Sequence, residues 1–367
     1  MQTEHKPSLV QVSGSLELPL GGPVMVVEGL NEYLDSNFEL RNLIFGTSLI
    51  QLRNQMKIKT LADNRYGFPC RPTPIRARKD LASAQILLIH GYYLFSTLLA
   101  IRFSKTDSIF VMPHGSLENY QASRGKLRKH LFDYLVHRLL GKRKITYLVG
   151  SNSEVDSITE RFMGAKVVVV GLGVKSSLIQ TQKLRKIDDT IVLMCISRIA
   201  HKKRIDLCIR ALAQLSKLNG NFVLKIYGTG DANIRKNLEK LALELGVGNK
   251  VFFYDFVTGV AKHEAFKDAD IMLLPSENEN FAIAVAESIC ELRPVVVSKF
   301  VAMHEFVDKY RVGITIPTTD HMRLSNAVLE IHDHYNTYVE NCDAFRNLLT
   351  WDSVSKNWIE ALTRKQN

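Results

Sequence analysis

Short apolar runs alternate with stretches of helical spacing along nearly the whole chain, and few folds accommodate that order. "SLVQVS" (8–13) is followed by a loop ending in Gly21-Gly22-Pro23 and then by a helix expected to reach about Ser36. "LRNLIF" (40–45), "QILLI" (85–89), "SIFVM" (108–112), "TYLV" (146–149) and "KVVVV" (166–170) read as later strands, with helices near 93–104, 125–140 and 153–163. After the polar stretch "KSSLIQTQKLRKIDD" (175–189) the alternation restarts. Strands are expected at 191–196, 222–227, 250–253, 270–274, 294–298 and 312–316, and helices near 204–217, 231–245, 281–290 and 320–334. Strands separated by helices pair in parallel, with helices on both faces of the sheet. The expected fold is therefore α/β, with two Rossmann-like doubly wound domains. Their expected bounds are 1–173 and 191–348, joined by a linker at 174–190, with a C-terminal helix at 349–367 returning toward the first domain. The segment 60–80 has no defensible reading.

In doubly wound sheets ligands bind beyond the carboxyl ends of the strands, so residues that directly follow strands are the ones to examine. Strand 191–196 leads into "SRIAHKKR", where Arg198 and Lys203 stand at the strand end and the next helix start. Two cations beside a helix N-terminus make an anion site, because backbone N–H groups add to their charge; they also make an ordinary basic turn. Strand 222–227 leads into Gly228-Thr229-Gly230, a turn that permits close approach of backbone to a ligand, although two glycines alone often only turn the chain. Strand 270–274 leads into "PSENENFAIAVAESI", with Glu279 and Glu287 eight residues apart and a helix expected to begin near Phe281. A rise of 1.5 Å per residue separates the two acids by about 12 Å. That span matches the reach from the sugar to the ribose of a sugar nucleotide; two solvated acids are the plainer alternative.

Charge is unevenly distributed. The net charge is +11, and residues 1–173 hold 22 Lys/Arg against 14 Asp/Glu. The densest part is "RGKLRKHLFDYLVHRLLGKRK" (124–144), in which Leu127, Leu131, Leu135 and Leu139 recur every four residues. This pattern predicts an amphipathic helix with cationic flanks. Either it lays a buried leucine stripe beneath a solvated face, or it meets an anionic lipid surface or a pyrophosphate-linked acceptor. No zinc-finger or RNP-like pattern accompanies the basic stretch, so nucleic acid is not the expected partner. The apolar run 84–103 is broken by His90-Gly91 and reads as strand, loop and helix rather than as a membrane span. The N-terminus lacks a secretion-signal pattern, and five scattered cysteines form no CxxC pair and no Cys/His cluster. A cytoplasmic protein with reduced thiols and no metal is expected.

Taken together, the residues following the strands resemble those of retaining glycosyltransferases of the family 4 type (glycosyl transferases group 1), which have the GT-B fold. The family's Glu, then Asn-Phe-Gly or Gly-Phe-Gly, then a second Glu is similar to Glu279-Asn280-Phe281-Ala282…Glu287. Its Arg/Lys turn resembles Arg198 and Lys203, and its glycine turn resembles Gly228-Thr229-Gly230. Its first-domain Gly-Gly loop resembles Gly21-Gly22, and its two histidine loops resemble "IHGYY" and "MPHGSLE", with His90 and His114. The ending "LTWDSVSKNWIEAL" is similar to the family's last helix.

The resemblance implies a nucleotide-sugar donor held by the second domain and a saccharide or lipid-linked acceptor on the side of the first. In that scheme Glu287 binds the ribose, Arg198 and Lys203 neutralise the diphosphate, and Glu279 fixes the donor sugar. His114 reaches the sugar, Gly22 lets the first loop approach the phosphates, and Asn280, Phe281 and Ala282 form the turn between the acids. His90 ranks lower, as a packed loop residue. No cofactor is implied, no Asp-x-Asp metal site is evident, and peripheral contact with the inner face of an anionic membrane is compatible. Ala282, Leu292 and Arg204 stand where the family has glycine, and "GLG" (171–173) replaces its Pro-Asn-Gly. Leu292 and Arg204 are expected to need helix-compatible backbone and so to alter the local turns. These departures keep a non-catalytic subunit, or an epimerase on the same fold, as the alternative.

Overall fold

The computed structural model describes residues 6–17, 22–60, 68–118, 126–175, 190–218, 221–317 and 320–364; Gly21 and most of the expected linker lie outside them. The chain divides into two compact units, Met1–Gly173 with Val354–Asn367, and Val174–Ser353.

The first unit is built on strands β1 (Ser8–Ser13), β2 (Glu39–Phe45), β3 (Gln55–Ile58), β4 (Ile86–His90), β5 (Ile109–Met112), β6 (Ile145–Val149) and β7 (Lys166–Val169). They form one parallel sheet in the order β3-β2-β1-β4-β5-β6-β7. Its helices are α1 (Gly22–Asn37), α2 (Ile75–Ser83), α3 (Phe95–Phe103), α4 (Lys126–Leu140) and α5 (Ser153–Arg161). The central strands β4, β5 and β6 are buried at every position, as expected when helices cover both faces.

The second unit has strands β8 (Ile191–Ile196), β9 (Phe222–Tyr227), β10 (Val251–Tyr254), β11 (Ile271–Leu274), β12 (Val295–Ser298) and β13 (Gly313–Ile316), in the parallel order β10-β9-β8-β11-β12-β13. Helices α6 (Ile205–Lys217), α7 (Ala232–Glu244), α8 (Gly259–Lys267), α9 (Ile283–Cys290), α10 (His304–Tyr310), α11 (His321–Asp333), α12 (Tyr335–Phe345) and α13 (Trp351–Thr363) complete the chain.

In both sheets the strand order reverses beside the first strand, between β1 and β4 and between β8 and β11. This switch point opens a crevice at the carboxyl ends, because the connections leave toward opposite faces there.

Three expectations are corrected. Of the α4 leucine stripe only Leu139 packs on the core: Leu127 is 84% exposed, Leu131 60% and Leu135 37%, while Val136 and the partly buried Phe132 face inward with Leu139. Leu127, Leu131 and Leu135 face outward, and the inner face is filled by the aromatic group of Tyr92, Tyr93 and Phe132. Helix α9 begins at Ile283, not Phe281, so Glu279 lies in the preceding loop and a helical rise does not set its distance from Glu287. Arg204 and Leu292 do not take helix-compatible backbone: φ is +51° and +60°, and Ala282 has +62°. All three keep the left-handed conformation that glycine adopts at least cost, so the turns survive the substitutions.

The candidate donor site

Arg198 follows β8 and is exposed. A 3-10 turn over His201–Lys203 then buries Lys203, and Arg204, left-handed, starts α6. The loop after β11 lies against this turn: Glu277 N–H donates to the Lys202 carbonyl (2.8 Å). Lys203 Nζ stands 2.5 Å from Glu279 Oε1, and Lys202 Nζ 3.6 Å from the same oxygen. Lys202 also donates to the Asn278 carbonyl (3.3 Å). Arg204 grips Asp206 through two bonds of 3.0 Å and reaches Glu277 at 3.0 Å. On its other side the loop is held by the segment after β12, where Glu279 N–H donates to the Phe300 carbonyl and Ala302 N–H to the Glu279 carbonyl. Glu279 is therefore fixed at backbone and side chain alike. Asn280 is partly exposed, Phe281 is buried, and Ala282 precedes the first turn of α9.

Glu287 is buried on α9 and paired with Lys262 of α8, whose Nζ lies 2.6 and 2.5 Å from its two oxygens. One turn on, Glu291, fully buried, meets His263 Nδ1 at 2.5 Å. Among the four expected charged residues only Lys203 and Glu279 form an ion pair with each other. Glu287 pairs with Lys262, and Arg198 pairs with no acid among the described residues.

Gly228 and Gly230 have a reason to be glycine that involves the chain itself. A Cβ on Gly228 would stand 1.9 Å from the Ser197 carbonyl oxygen, and one on Gly230 2.1 Å from that of Ile199. The two turns that follow β8 and β9 are pressed together, with Ile199 N–H donating to the Thr229 carbonyl (2.9 Å).

In the first unit, Gly22 is the first residue of α1, after β1. His90 ends β4, buried, and its Nδ1 lies 3.0 Å from Nε2 of His114, two residues beyond the end of β5. Burial holds the His114 pKa down at about 4, and burial followed by the neighbouring His114 holds that of His90 well below its usual value, so both rings are neutral at pH 7. A single N–H therefore lies between them. His114 is left-handed, at φ +52°. Its loop is anchored by Glu154 of α5, a buried carboxylate that accepts from Gly115 N–H (2.9 Å) and Gly150 N–H (3.1 Å).

Lys262, His263, Glu291 and Glu154 were not found from the sequence. The first two lie on α8, whose pattern "GVAKHEAFK" is short and has no clear apolar face, since Val260 is 78% exposed. Lys202, beside Lys203, was legible as a charge and not as a second partner for Glu279.

The fold is that of the GT-B class, with two Rossmann-like parallel sheets. Residues 176–345 match the family glycosyl transferases group 1. An uncharacterized glycosyltransferase of Methanocaldococcus jannaschii is 34% identical over 129 residues, covering 35% of this chain and 32% of the relative. The alpha-D-kanosaminyltransferase of Streptomyces kanamyceticus is 26% identical over 40% of this chain and 38% of its own. The D-inositol 3-phosphate glycosyltransferase of Thermomonospora curvata is 27% identical over 62% of this chain and 59% of its own. The matches thus span only about a third of the first two of these curated relatives. Among solved structures, Anabaena HepE in complex with UDP and glucose matches with a TM-score of 0.76 at 15% identity, covering 98% of this chain and all of that one. WaaG, a glycosyltransferase involved in lipopolysaccharide biosynthesis, matches at 0.72 and 13% over 97% of this chain and all of that one.

Proposed function

We propose that the chain is a retaining, metal-independent glycosyltransferase. It moves a hexose-type sugar from a nucleotide-diphosphate sugar to a saccharide or lipid-linked acceptor in cell-surface glycan synthesis, on the cytoplasmic side of the membrane. The observation that carries this reading is the buried Lys203 held against Glu279 at the switch point between β8 and β11. Arg198 stands at the end of the same strand. Cleaving a sugar from a diphosphate develops negative charge on the leaving group and positive charge on the ring. Cations fixed before reaction stabilise the former without reorganisation. In this reading Arg198 and Lys203 bind the diphosphate, with the first turn of α9 beside them. Glu279 then turns to the sugar hydroxyls, and Glu287 takes the ribose diol in place of Lys262.

His114 is the hydrogen-bond donor that the first unit offers to a hydroxyl. Nε2 of His90 is buried with no partner among the described residues, and a bare acceptor is commoner in proteins than a bare N–H. His90 Nδ1 therefore donates to His114 Nε2, and the remaining Nδ1–H of His114 is a neutral donor for a hydroxyl. Gly22, at the start of α1, leaves room for close approach of a ligand to the backbone, and the departing phosphate helps to deprotonate the acceptor on the same face of the sugar.

The test is a panel of sugar nucleotides, UDP-glucose first, scored for binding, hydrolysis and transfer. Wild type is expected to bind one of them, to keep turning over in EDTA and to give a product of unchanged anomeric configuration by NMR. Glu287→Ala should raise the donor KM, while Lys203→Ala should lower kcat by about 100-fold or more. Absence of any sugar-nucleotide binding, or an inverted product, overturns the reading. Conversion of the donor without an acceptor to an epimer would identify an epimerase instead.

A further inference from the structure

We propose that the outward face of α4 docks on an anionic phospholipid bilayer. Leu127, Leu131, Tyr134 and Leu135 are 84%, 60%, 58% and 37% exposed, and their spacing places them on one side of the helix. Arg138 falls in the same stripe, with Arg128, His130 and His137 exposed along its edges and Lys142 and Lys144 exposed just beyond the helix end. The single acid of α4, Asp133, is turned away from this face and bonded to Arg161 at 2.6 Å. A helix with large apolar side chains outward, cations around them and no outward acid matches the two layers of a membrane interface. Leucines enter the acyl boundary while arginines and lysines meet phosphate headgroups. A second copy of the chain fits less well, because a two-fold contact would set this cationic patch against itself.

The claim is independent of the sugar-nucleotide reading, since vesicle binding is measured without donor or acceptor. Flotation of the full chain with phosphatidylcholine vesicles, and with phosphatidylcholine–phosphatidylglycerol vesicles, reads it directly. Wild type is expected to float with the anionic vesicles only, and less so at high salt. Leu127→Gln with Leu131→Gln, and separately Arg128→Glu with Arg138→Glu, should each weaken binding by about tenfold or more. All four positions are solvent-exposed, so thermal unfolding should stay unchanged and mark the variants as folded. Tyr134→Trp gives a local readout, in which its fluorescence shifts to the blue on anionic vesicles if the face inserts.

The proposal is overturned if wild type floats with neither vesicle, or with both equally. Unchanged binding in both double variants, or an emission spectrum of Tyr134→Trp that is indifferent to vesicles, would place the contact elsewhere. Self-association in sedimentation velocity that the same double variants abolish, without vesicle binding, would assign the face to a second copy.

Discussion

Four residues in the second unit, Arg204, Ala282, Leu292 and Arg311, hold a backbone conformation that their side chains disfavour. A left-handed residue other than glycine costs about 1–2 kcal/mol, and Arg204, Ala282 and Leu292 each carry that strain at a turn beside the candidate site or its helix. Arg204 offsets it through Asp206 and Glu277, and Leu292 through burial. Ala282 has only a methyl group and no cap bond. Replacing it with glycine should therefore raise the stability of the second unit by about 0.5–1 kcal/mol, after the greater unfolded-state freedom of glycine is subtracted. A urea midpoint for Ala282→Gly that is equal to or below wild type would show that the turn is unstrained.

His90 and His114 give the first unit a pH dependence. His114 titrates near 4 in the folded protein, against about 6.5 when unfolded, so between these values the unfolded chain binds more protons. Stability is full above about pH 6.5 and falls as the pH drops toward 4, by about 2 kcal/mol between pH 7 and 5 from His114 alone. His90 adds a change of the same sign. Guanidinium titrations at pH 7 and 5 measure this, and His114→Gln should flatten the dependence. An equal drop in that variant would assign the acid sensitivity to other groups.

At the scale of elements, α8 and α9 are fastened by two acid–base pairs one helical turn apart, Lys262–Glu287 and His263–Glu291. Glu287 is nearly sealed from solvent, so removing its partner leaves a buried carboxylate uncompensated. Lys262→Met should cost about 3 kcal/mol. The double variant Lys262→Met with Glu287→Gln should cost less than the single, with a coupling of about 1–3 kcal/mol in the double-mutant cycle. Additive effects would show that the pair is formed only loosely. Helix α9 was legible because its apolar run directly follows a strand. Helix α8 was not, because its one buried aromatic, Phe266, is set in a pattern too short to show a period.

For the whole molecule, the chain passes from the first sheet to the second and then comes back. Trp351 N–H donates to the Val174 carbonyl, Val174 N–H to that of Leu349, and the Trp358 indole to that of Gly171 (3.0 Å). Trp358 is fully buried, within 6.4 Å of the His90 ring, so the last helix helps to build the first unit. Trp358→Ala should cost about 3–5 kcal/mol. The loss should appear as faster hydrogen exchange in β4, β5 and β6 and leave β8, β11 and β12 unchanged. A uniform rise across both sheets would mean that the two units unfold as one.

The sequence by itself determined the two α/β sheets, the positions of most strands along the chain and the loops that carry the charged residues, because strand and helix periods are local and strand ends mark where a doubly wound sheet binds. Tertiary structure alone decided which charges meet. The pairing of Lys203 with Glu279, of Lys262 with Glu287 and of His90 with His114 joins residues 76, 25 and 24 positions apart. It also decided that Leu127, Leu131 and Leu135 of α4 face outward, since a period of four fixes which residues share a side but not which side the neighbouring aromatics have already filled.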